Sequence, residues 1–280
     1  MKINKIVYSL WTKPSGGNIL KKATNWYSPK AQLYCLMLSV LKAAEFFEEV
    51  ELVTDTEGYN IIKKLKLPFT NIEICLDDID EKYYEFWSLG KIYAYQKQTK
   101  PFIHLDTDAI LWKELPNWVN NASVFVQNVE DDNWFSDAYI NEINHSSKVL
   151  KYFPKNWDII KKAYCTGIFG GTDIDFIKTY CDEVLKFLYD KRNENGWNSI
   201  KNKGSYCIIF EQYILACLTE YYNIPVTCFD THLDTEKLAN YGYTHLWGYK
   251  KSDQCEKKLR HSLEKNYPNL SLGIIENSLT

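Results

Sequence analysis

The most informative stretch of this 280-residue sequence is Pro101-Phe-Ile-His-Leu-Asp-Thr-Asp-Ala-Ile-Leu111. Four mostly apolar residues, Phe102 to Leu105, lead directly into Asp106 and Asp108. A short apolar run that stops at polar residues is typical of a buried strand in an α/β sheet. Ligand sites in open α/β sheets lie beyond the carboxyl ends of the strands. The sequence therefore predicts that both aspartates lie at the functional edge of such a sheet.

The two aspartates stand at positions i and i+2, with Thr107 between them. In an extended segment, side chains at this spacing point the same way. Two carboxylates held close together repel each other strongly unless a cation lies between them. Oxygen ligands suit Mg²⁺ or Mn²⁺, with phosphate oxygens completing the coordination shell. We therefore expect a divalent cation here; the alternative is a solvated acidic turn after a strand.

Composition excludes some functional classes. The formal net charge is −3, which gives no indication of nucleic-acid binding. The 8 cysteines form no C-x-x-C motif and no zinc-type pairing with histidine, so we expect buried free thiols in a reducing compartment. No apolar run approaches the roughly 18 residues that a membrane span needs, and the N-terminus carries no signal-peptide pattern. These features predict a cytoplasmic protein without a transmembrane segment or a nucleic-acid partner.

Strands and helices alternate along the first half of the chain, which predicts a parallel α/β sheet with right-handed crossovers. The predicted strands lie at 6–11, 50–54, 72–76, 102–105, 123–127, 164–169 and 225–229. Helices are predicted to start at the capping residues Ser28, Thr172 and Ser252, with Pro29 as the first helical residue after Ser28. Other helices are predicted near 59–65, 84–95 and 208–221. The polar, Asn-rich segment 191–203 is expected to be mobile.

Three segments of the sequence resemble a known family. They are His104-Leu-Asp-Thr-Asp108 with the following Leu111-Trp-Lys-Glu-Leu-Pro116, then Cys165-Thr-Gly-Ile-Phe-Gly-Gly171, then His245-Leu-Trp-Gly-Tyr-Lys-Lys251. In order and character they resemble the GT-A nucleotide-sugar glycosyltransferases, most closely the glycogenin and bacterial galactosyltransferase group called glycosyltransferase family eight. The resemblance implies a GT-A fold, a Rossmann-like mixed sheet flanked by helices, in one domain over 1–280. Residues 1–120 would bind the nucleotide sugar, and 121–280 would form the acceptor side with a C-terminal segment that closes the site.

The resemblance also implies roles for the C-terminal motif. His245 would be the third protein ligand of the metal beside Asp106 and Asp108, and neutral imidazole is a suitable ligand for Mn²⁺. Lys251 would neutralise the diphosphate, although its neighbour Lys250 could take its place. Gly248 would let the backbone approach the diphosphate closely. The alternatives are a histidine in an aromatic cluster and a solvated surface lysine.

Glu211 and Gln212 resemble the first two residues of the family's D-Q-D motif. Glu211 would orient the donor sugar, and Gln212 would lie beneath the anomeric carbon. The third residue of the motif is Tyr213 here, and Cys165 replaces an asparagine of the family. The alternative is a surface pair on the first turn of a helix, with Gly170 and its neighbours marking only a tight turn.

The first strand would supply the contacts to base and ribose. Tyr8 could stack on uracil, and Trp11 and Thr12 stand at the carboxyl end of that strand. The alternative for such strand-end aromatics is the core.

Together these features predict a metal-dependent glycosyltransferase that moves a hexose from a UDP-sugar. The acceptor stays unidentified among glycans, lipids, peptides and small metabolites. The resemblance implies retention of anomeric configuration, and no carboxylate is an obvious nucleophile, so we expect a front-face attack assisted by the leaving group. A non-catalytic binder of nucleotide sugars or glycans is the first alternative. An aspartyl-nucleophile phosphatase is the second, but such enzymes carry D-x-D on their first strand, and three predicted strands precede it here.

Overall fold

The computed structural model of the protein describes residues 2–17, 19, 25–270 and 272–273. A mostly parallel sheet of seven strands is flanked by helices, and a sheet of two strands accompanies it. The strands of these described residues are β1 (Lys5–Leu10), β2 (Glu49–Thr54), β3 (Asn71–Ile74), β4 (Phe102–Leu105), β5 (Ala109–Leu111), β6 (Val124–Glu130), β7 (Ala163–Gly171), β8 (Val226–Asp230) and β9 (Tyr243–His245). Their order is β3-β2-β1-β4-β7-β6-β8 in the large sheet and β5-β9 in the small one. The predicted class, a mixed α/β fold around a largely parallel sheet, is confirmed.

The α-helices of the described residues are α1 (Pro29–Ala43), α2 (Thr56–Leu65), α3 (Leu89–Gln96), α4 (Asp132–Ala138), α5 (Ile140–Val149), α6 (Ile174–Tyr189), α7 (Glu194–Ser199), α8 (Ile214–Tyr222), α9 (Thr235–Asn240) and α10 (Asp253–Asn266). None of them is long and apolar enough to cross a membrane. All 8 cysteines are free thiols, six of them buried.

The contacts within the chain group its residues into two compact units. The N-terminal unit comprises 4–79, 105–115 and 242–280, and the central unit comprises 1–3, 80–104 and 116–241. Each unit is therefore built from segments that are distant in sequence. The predicted halves, 1–120 and 121–280, do not coincide with these units because the C-terminal segment groups with the first strands.

In the N-terminal unit, local capping signals set the starts of two helices. The Ser28 side chain accepts a hydrogen bond from the Ala31 N–H at 3.0 Å, and Pro29 occupies the first helical turn of α1. Ser252 caps α10 in the same way, accepting from the Cys255 N–H at 3.1 Å. Such caps satisfy backbone donors that have no partner inside the helix. Both predicted helix starts are confirmed.

In the central unit, β7 is buried along its whole length and pairs antiparallel with β6. Its last residues, Gly170 and Gly171, have φ angles of +157° and +142°. A Cβ on Gly170 would lie 2.0 Å from the Phe102 carbonyl oxygen, and one on Gly171 would lie 2.2 Å from the Ser123 carbonyl oxygen. These glycines let backbones pack too closely for any side chain, so packing alone accounts for them.

The structure corrects two local predictions in the central unit. The segment 191–203 was expected to be mobile, but it contains α7, whose Trp197 is buried between the rings of Phe86 and Phe187 at 5.2 and 5.3 Å. Burial of this large aromatic surface orders the segment despite its polar composition. In α6, the capping residue is Asp173 rather than Thr172, since the Asp173 carboxylate accepts from the Phe176 N–H at 3.0 Å.

Gly170→Ala tests the packing at the end of β7. The added methyl group would collide with the backbone of Phe102 in a φ region that disfavours side chains, so we expect a loss of about 2 kcal/mol or more in the free energy of unfolding. Urea denaturation gives this quantity. Gly273→Ala is the control, because its Cβ would meet no atom of the described residues within 4 Å. Equal midpoints for both variants would contradict the packing argument.

Candidate functional site

The two aspartates of the D-x-D motif lie on a tight connection between β4 and β5. The Ala109 N–H donates to the Asp106 carbonyl at 3.0 Å, which closes a turn directly after β4. Thr107 and Asp108 lie inside this turn, so the extended geometry expected from the sequence ends at the close of β4. The chain then re-enters a strand at Ala109 and runs along β9 in the N-terminal unit.

The pairing of β5 with β9 brings the predicted histidine to the aspartates. The strands are antiparallel, and Ala109 lies opposite His245. The ladder is extended by the Leu246 N–H, which donates to the Asp108 carbonyl at 3.0 Å. As a result, His245 Nε2 lies 3.3 Å from Asp108 Oδ1. Residues that are far apart in sequence thus share one small volume of the N-terminal unit.

Asp106, Asp108 and His245 together form a group with the donor set of a cation site, which we call the Asp–Asp–His cluster. One possible ligand atom from each residue lies within 4.8 Å of the other two. Asp108 is buried, whereas Asp106 and His245 are partly accessible. Two carboxylates and one imidazole fit a hard or borderline divalent cation such as Mn²⁺ or Mg²⁺. The three residues predicted as ligands are therefore brought together.

A lysine completes the surroundings of Asp108. Lys250 Nζ lies 2.6 Å from Asp108 Oδ2, across 142 residues of sequence, and 5.7 Å from the centre of the Trp26 ring. Its neighbour Lys251, predicted as the diphosphate contact, is exposed. The structure therefore brings Lys250, which the sequence offered as the substitute, into direct contact with the cluster.

The charges around Asp108 determine its protonation. Burial by itself would raise the pKa of the Asp108 carboxyl, but the charges and hydrogen bonds of His245 and then Lys250 outweigh it and hold that pKa far below its usual range. Asp108 is consequently an anion at any physiological pH, which is the form a cation requires.

Gly248 and the end of β1 were also predicted to contact the nucleotide. A Cβ on Gly248 would meet no atom of the described residues within 4 Å, so their packing does not require glycine there and the diphosphate explanation stays a prediction. Thr12 is fully buried, and its N–H and hydroxyl both donate to Asp55 Oδ2 at 2.8 Å. Trp11 is almost completely buried at 8% exposure. Through these two hydrogen bonds, Asp55 and Thr12 hold the start of the loop after β1 in place.

Tyr8 does not fit its predicted role. Its side chain is completely buried, its hydroxyl pairs with Ser39 Oγ at 2.9 Å, and its ring meets Phe69 edge-on at 6.0 Å. A ring covered on all sides has no face for a nucleobase to stack on. We therefore correct the prediction: Tyr8 is a core residue.

In the central unit, Glu211 lies on a π-helical segment, Ile209–Tyr213, that leads into α8. Such segments are rare and frequently occur at functional sites. The side chain is completely buried, Oε1 receives hydrogen bonds from Lys91 Nζ at 2.8 Å and from the Thr166 hydroxyl, and Oε2 has no hydrogen-bond partner among the described residues. Leaving a buried carboxylate oxygen without a donor is costly, which distinguishes Glu211 from an ordinary core residue.

Gln212 belongs to a second polar group of the central unit. The Tyr139 hydroxyl contacts both Gln212 Oε1 and Glu130 Oε2. Burial, and then the Glu130 carboxylate, raise the pKa of the Tyr139 phenol far above its usual range, so this phenol stays protonated. Glu211 and Gln212 are thus not a plain surface pair, since each takes part in a polar network.

Four residues of these networks were not found from the sequence: Lys91, Thr166, Tyr139 and Glu130. The available signal was weak. Lys91 is the one cation of the otherwise apolar or neutral α3, and Glu130 ends the buried β6. A charge inside an apolar helix and an acid at a strand end are both common on surfaces, so neither pattern identifies a buried network.

Comparison with known proteins adds one relationship. Residues 4–277 match a family described as "Family of unknown function (DUF6734)". The sequence matches none of the curated proteins with which it was compared.

The Asp–Asp–His cluster predicts a stabilising effect of divalent cations. Mn²⁺ should raise the melting temperature of the protein, because a ligand that binds the folded state alone stabilises it. Asp108→Asn should abolish this rise, as measured by thermal unfolding with Mn²⁺ or EDTA. Asp253→Asn is the control, since Asp253 is an exposed carboxylate that pairs with Lys257. An equal rise in all three proteins would contradict a cation site at the cluster.

Asp108→Asn should also destabilise the protein in EDTA. The neutral amide cannot balance the charge of Lys250, and breaking a buried ion pair costs about 3 kcal/mol. Urea denaturation in EDTA measures this loss. A variant as stable as the wild type would mean that Lys250 and Asp108 do not depend on each other.

Proposed function

The chain belongs to this family of unknown function, and we propose that it is a metal-dependent glycosyltransferase of the GT-A type, which transfers a hexose from a UDP-sugar. The observation that carries the proposal is the Asp–Asp–His cluster at the end of β4 in a mostly parallel sheet. Paired carboxylates after a central strand, joined by a distant imidazole, suit a cation that also binds the phosphates of a nucleoside diphosphate.

Chemistry supports a role for the cluster in leaving-group departure. Asp106, Asp108 and His245 would hold a divalent cation, which would supply Lewis-acid stabilisation for the negative charge on the departing diphosphate. Lys250, adjacent to Asp108, adds a second positive charge in the same region. Among the described residues, no atom would block phosphate oxygens that approach the backbone at Gly248. We keep Lys251 as a second, exposed candidate for the diphosphate.

For the central unit, we propose that Glu211 and Gln212 bind the donor sugar. The buried Oε2 of Glu211 would accept a sugar hydroxyl, while Lys91 and Thr166 hold its other oxygen. A carboxylate fixed in this way suits recognition better than nucleophilic attack. We therefore propose retention by front-face attack: the acceptor oxygen bonds to C1 as the C1–O bond to diphosphate breaks, and its proton passes to the departing phosphate oxygen.

The compartment and the acceptor belong to the same proposal. Eight free thiols fit a reducing compartment, which supports a cytoplasmic location. The acceptor that we propose is a glycan, a lipid, a peptide or a small metabolite. A non-catalytic binder of nucleotide sugars is the competing function, since every contact described for the cluster could serve binding alone.

A screen of UDP-, GDP- and CMP-sugars tests this proposal. We expect slow hydrolysis of a UDP-hexose with Mn²⁺ and none in EDTA, because water can replace the acceptor whereas nothing replaces the cation. Released UDP is the measured product. A rise in melting temperature with UDP-sugar and Mn²⁺ without hydrolysis would favour the binder. An equal rise with UDP in EDTA would contradict a cation-linked diphosphate site.

Glu211→Gln tests the proposed sugar contact separately from the cluster. The amide keeps the size of the side chain but loses its charge, so we expect hydrolysis to fall by at least about 10²-fold. The Mn²⁺-induced rise in melting temperature should persist, because Glu211 is not a member of the cluster. Glu220→Gln is the control, as Glu220 is a surface carboxylate paired with Lys162. Unchanged hydrolysis in a folded Glu211→Gln protein would assign Glu211 to packing alone.

A further inference from the structure

Lys250 is held in place far more firmly than a surface lysine. Its ammonium group lies 2.6 Å from Asp108 Oδ2, and its side chain is only 21% exposed. The Trp26 ring lies on another side, 5.7 Å from Nζ. Two backbone bonds fix the residue as well: its N–H donates to the Leu246 carbonyl at 3.0 Å, and its carbonyl accepts from the Tyr27 N–H at 3.0 Å. The fold therefore positions the ammonium group next to the Asp–Asp–His cluster.

The two oxygens of Asp108 already have positively charged or basic partners. Oδ1 faces His245 Nε2 at 3.3 Å, and Oδ2 faces Lys250 Nζ. Of these partners, the imidazole of His245 in its neutral form can share a cation with the carboxylate. The ammonium of Lys250 has no lone pair to offer a cation, and its positive charge repels any divalent cation that approaches Asp108.

We propose that Lys250 is a resident counter-ion of Asp108, which a divalent cation must displace before the Asp–Asp–His cluster can hold it. This inference rests on the cation site of the proposed function. Rotation about the carbon–carbon bonds between Cα and Cε lets the ammonium leave Oδ2 while the backbone bonds stay intact.

The displaced charge has a consequence for the order of binding. Binding of a cation alone costs the free energy of breaking the Asp108–Lys250 ion pair and that of repulsion between the cation and the freed ammonium group. A diphosphate removes both penalties, because its oxygens pair with the ammonium and also coordinate the cation. Lys250 therefore keeps the affinity for the free cation low and couples cation binding to the nucleotide, and such coupling is reciprocal.

Lys250→Met tests the proposal without reference to catalysis. Isothermal titration with Mn²⁺ alone, in the absence of nucleotide, should show affinity about tenfold higher or more than in the wild type, since a nearby positive charge has been removed. Lys250→Arg should bind Mn²⁺ as the wild type does, because it keeps the charge. Lys257→Met is the matched control: Lys257 is 74% exposed and pairs with Asp253 on α10. Unchanged or weaker Mn²⁺ binding by a folded Lys250→Met protein would overturn the proposal.

A second measurement uses the wild-type protein and does not depend on whether Lys250→Met folds. Competitive acetylation followed by mass spectrometry reports the reactivity of each lysine. Displacement predicts that Mn²⁺ or Mg²⁺ raises the labelling of Lys250 several-fold and leaves that of Lys257 unchanged. Equal or lower labelling of Lys250 with the cation bound would show that the pair with Asp108 persists, which contradicts the proposal.

The outcomes separate this inference from the proposed function. One outcome is that the wild type binds Mn²⁺ and that both Lys250 experiments give the expected result, but no UDP-sugar is hydrolysed. The counter-ion proposal is then supported, and the transferase proposal is contradicted. If hydrolysis requires Mn²⁺ but Lys250→Met leaves Mn²⁺ affinity unchanged, the transferase stands and the counter-ion fails. If Mn²⁺ binds neither the wild type nor Lys250→Met, the counter-ion fails together with the cation site.

Discussion

The antiparallel pairing of β5 with β9 is the constraint on which the candidate site depends. It is short, three residues on each strand, but it is extended by the Trp112 N–H, which donates to the Gly242 carbonyl at 2.7 Å. The Trp112 indole adds a bond to Thr244 Oγ1 at 3.0 Å. Because side chains alternate along a strand, a slip of one residue would turn His245 away from Asp108. The register of β5 against β9 thus determines that the side chain of His245 faces Asp108.

Both units of the protein bury a carboxylate against a lysine. Asp108 pairs with Lys250 in the N-terminal unit, and Glu211 pairs with Lys91 in the central unit. Removing such groups from water is costly, and a buried ion pair contributes little to stability compared with apolar residues of similar volume. Stability is therefore a poor explanation for these pairs. Buried charged pairs of this kind are frequent at functional sites, and one oxygen of Glu211 has no partner within the described part of the chain.

Local signals in the sequence were sufficient for most of the regular structure. Ser28-Pro29 and Ser252 begin helices because a cap satisfies backbone donors only a few residues away. The apolar runs at β1, β2, β4 and β7 are strands, as expected, since buried parallel strands have few alternatives at that length. The prediction that the segment around α7 is mobile was wrong because its order depends on contacts that are distant in sequence. Trp197 orders that segment through rings from distant parts of the chain, and no local pattern contains those contacts.

The sequence by itself determined that two aspartates follow a buried strand, and it named His245 as their partner through a family resemblance. Strand ends and caps depend on neighbours along the chain, which any sequence displays. Only the tertiary structure decided that Lys250 rather than Lys251 faces Asp108, that Tyr8 is covered, and that Lys91 pairs with Glu211. Each of these depends on the direction of a side chain relative to a segment far away in sequence. Adjacent residues of one turn point in different directions, and composition and spacing carry no record of which direction meets a partner.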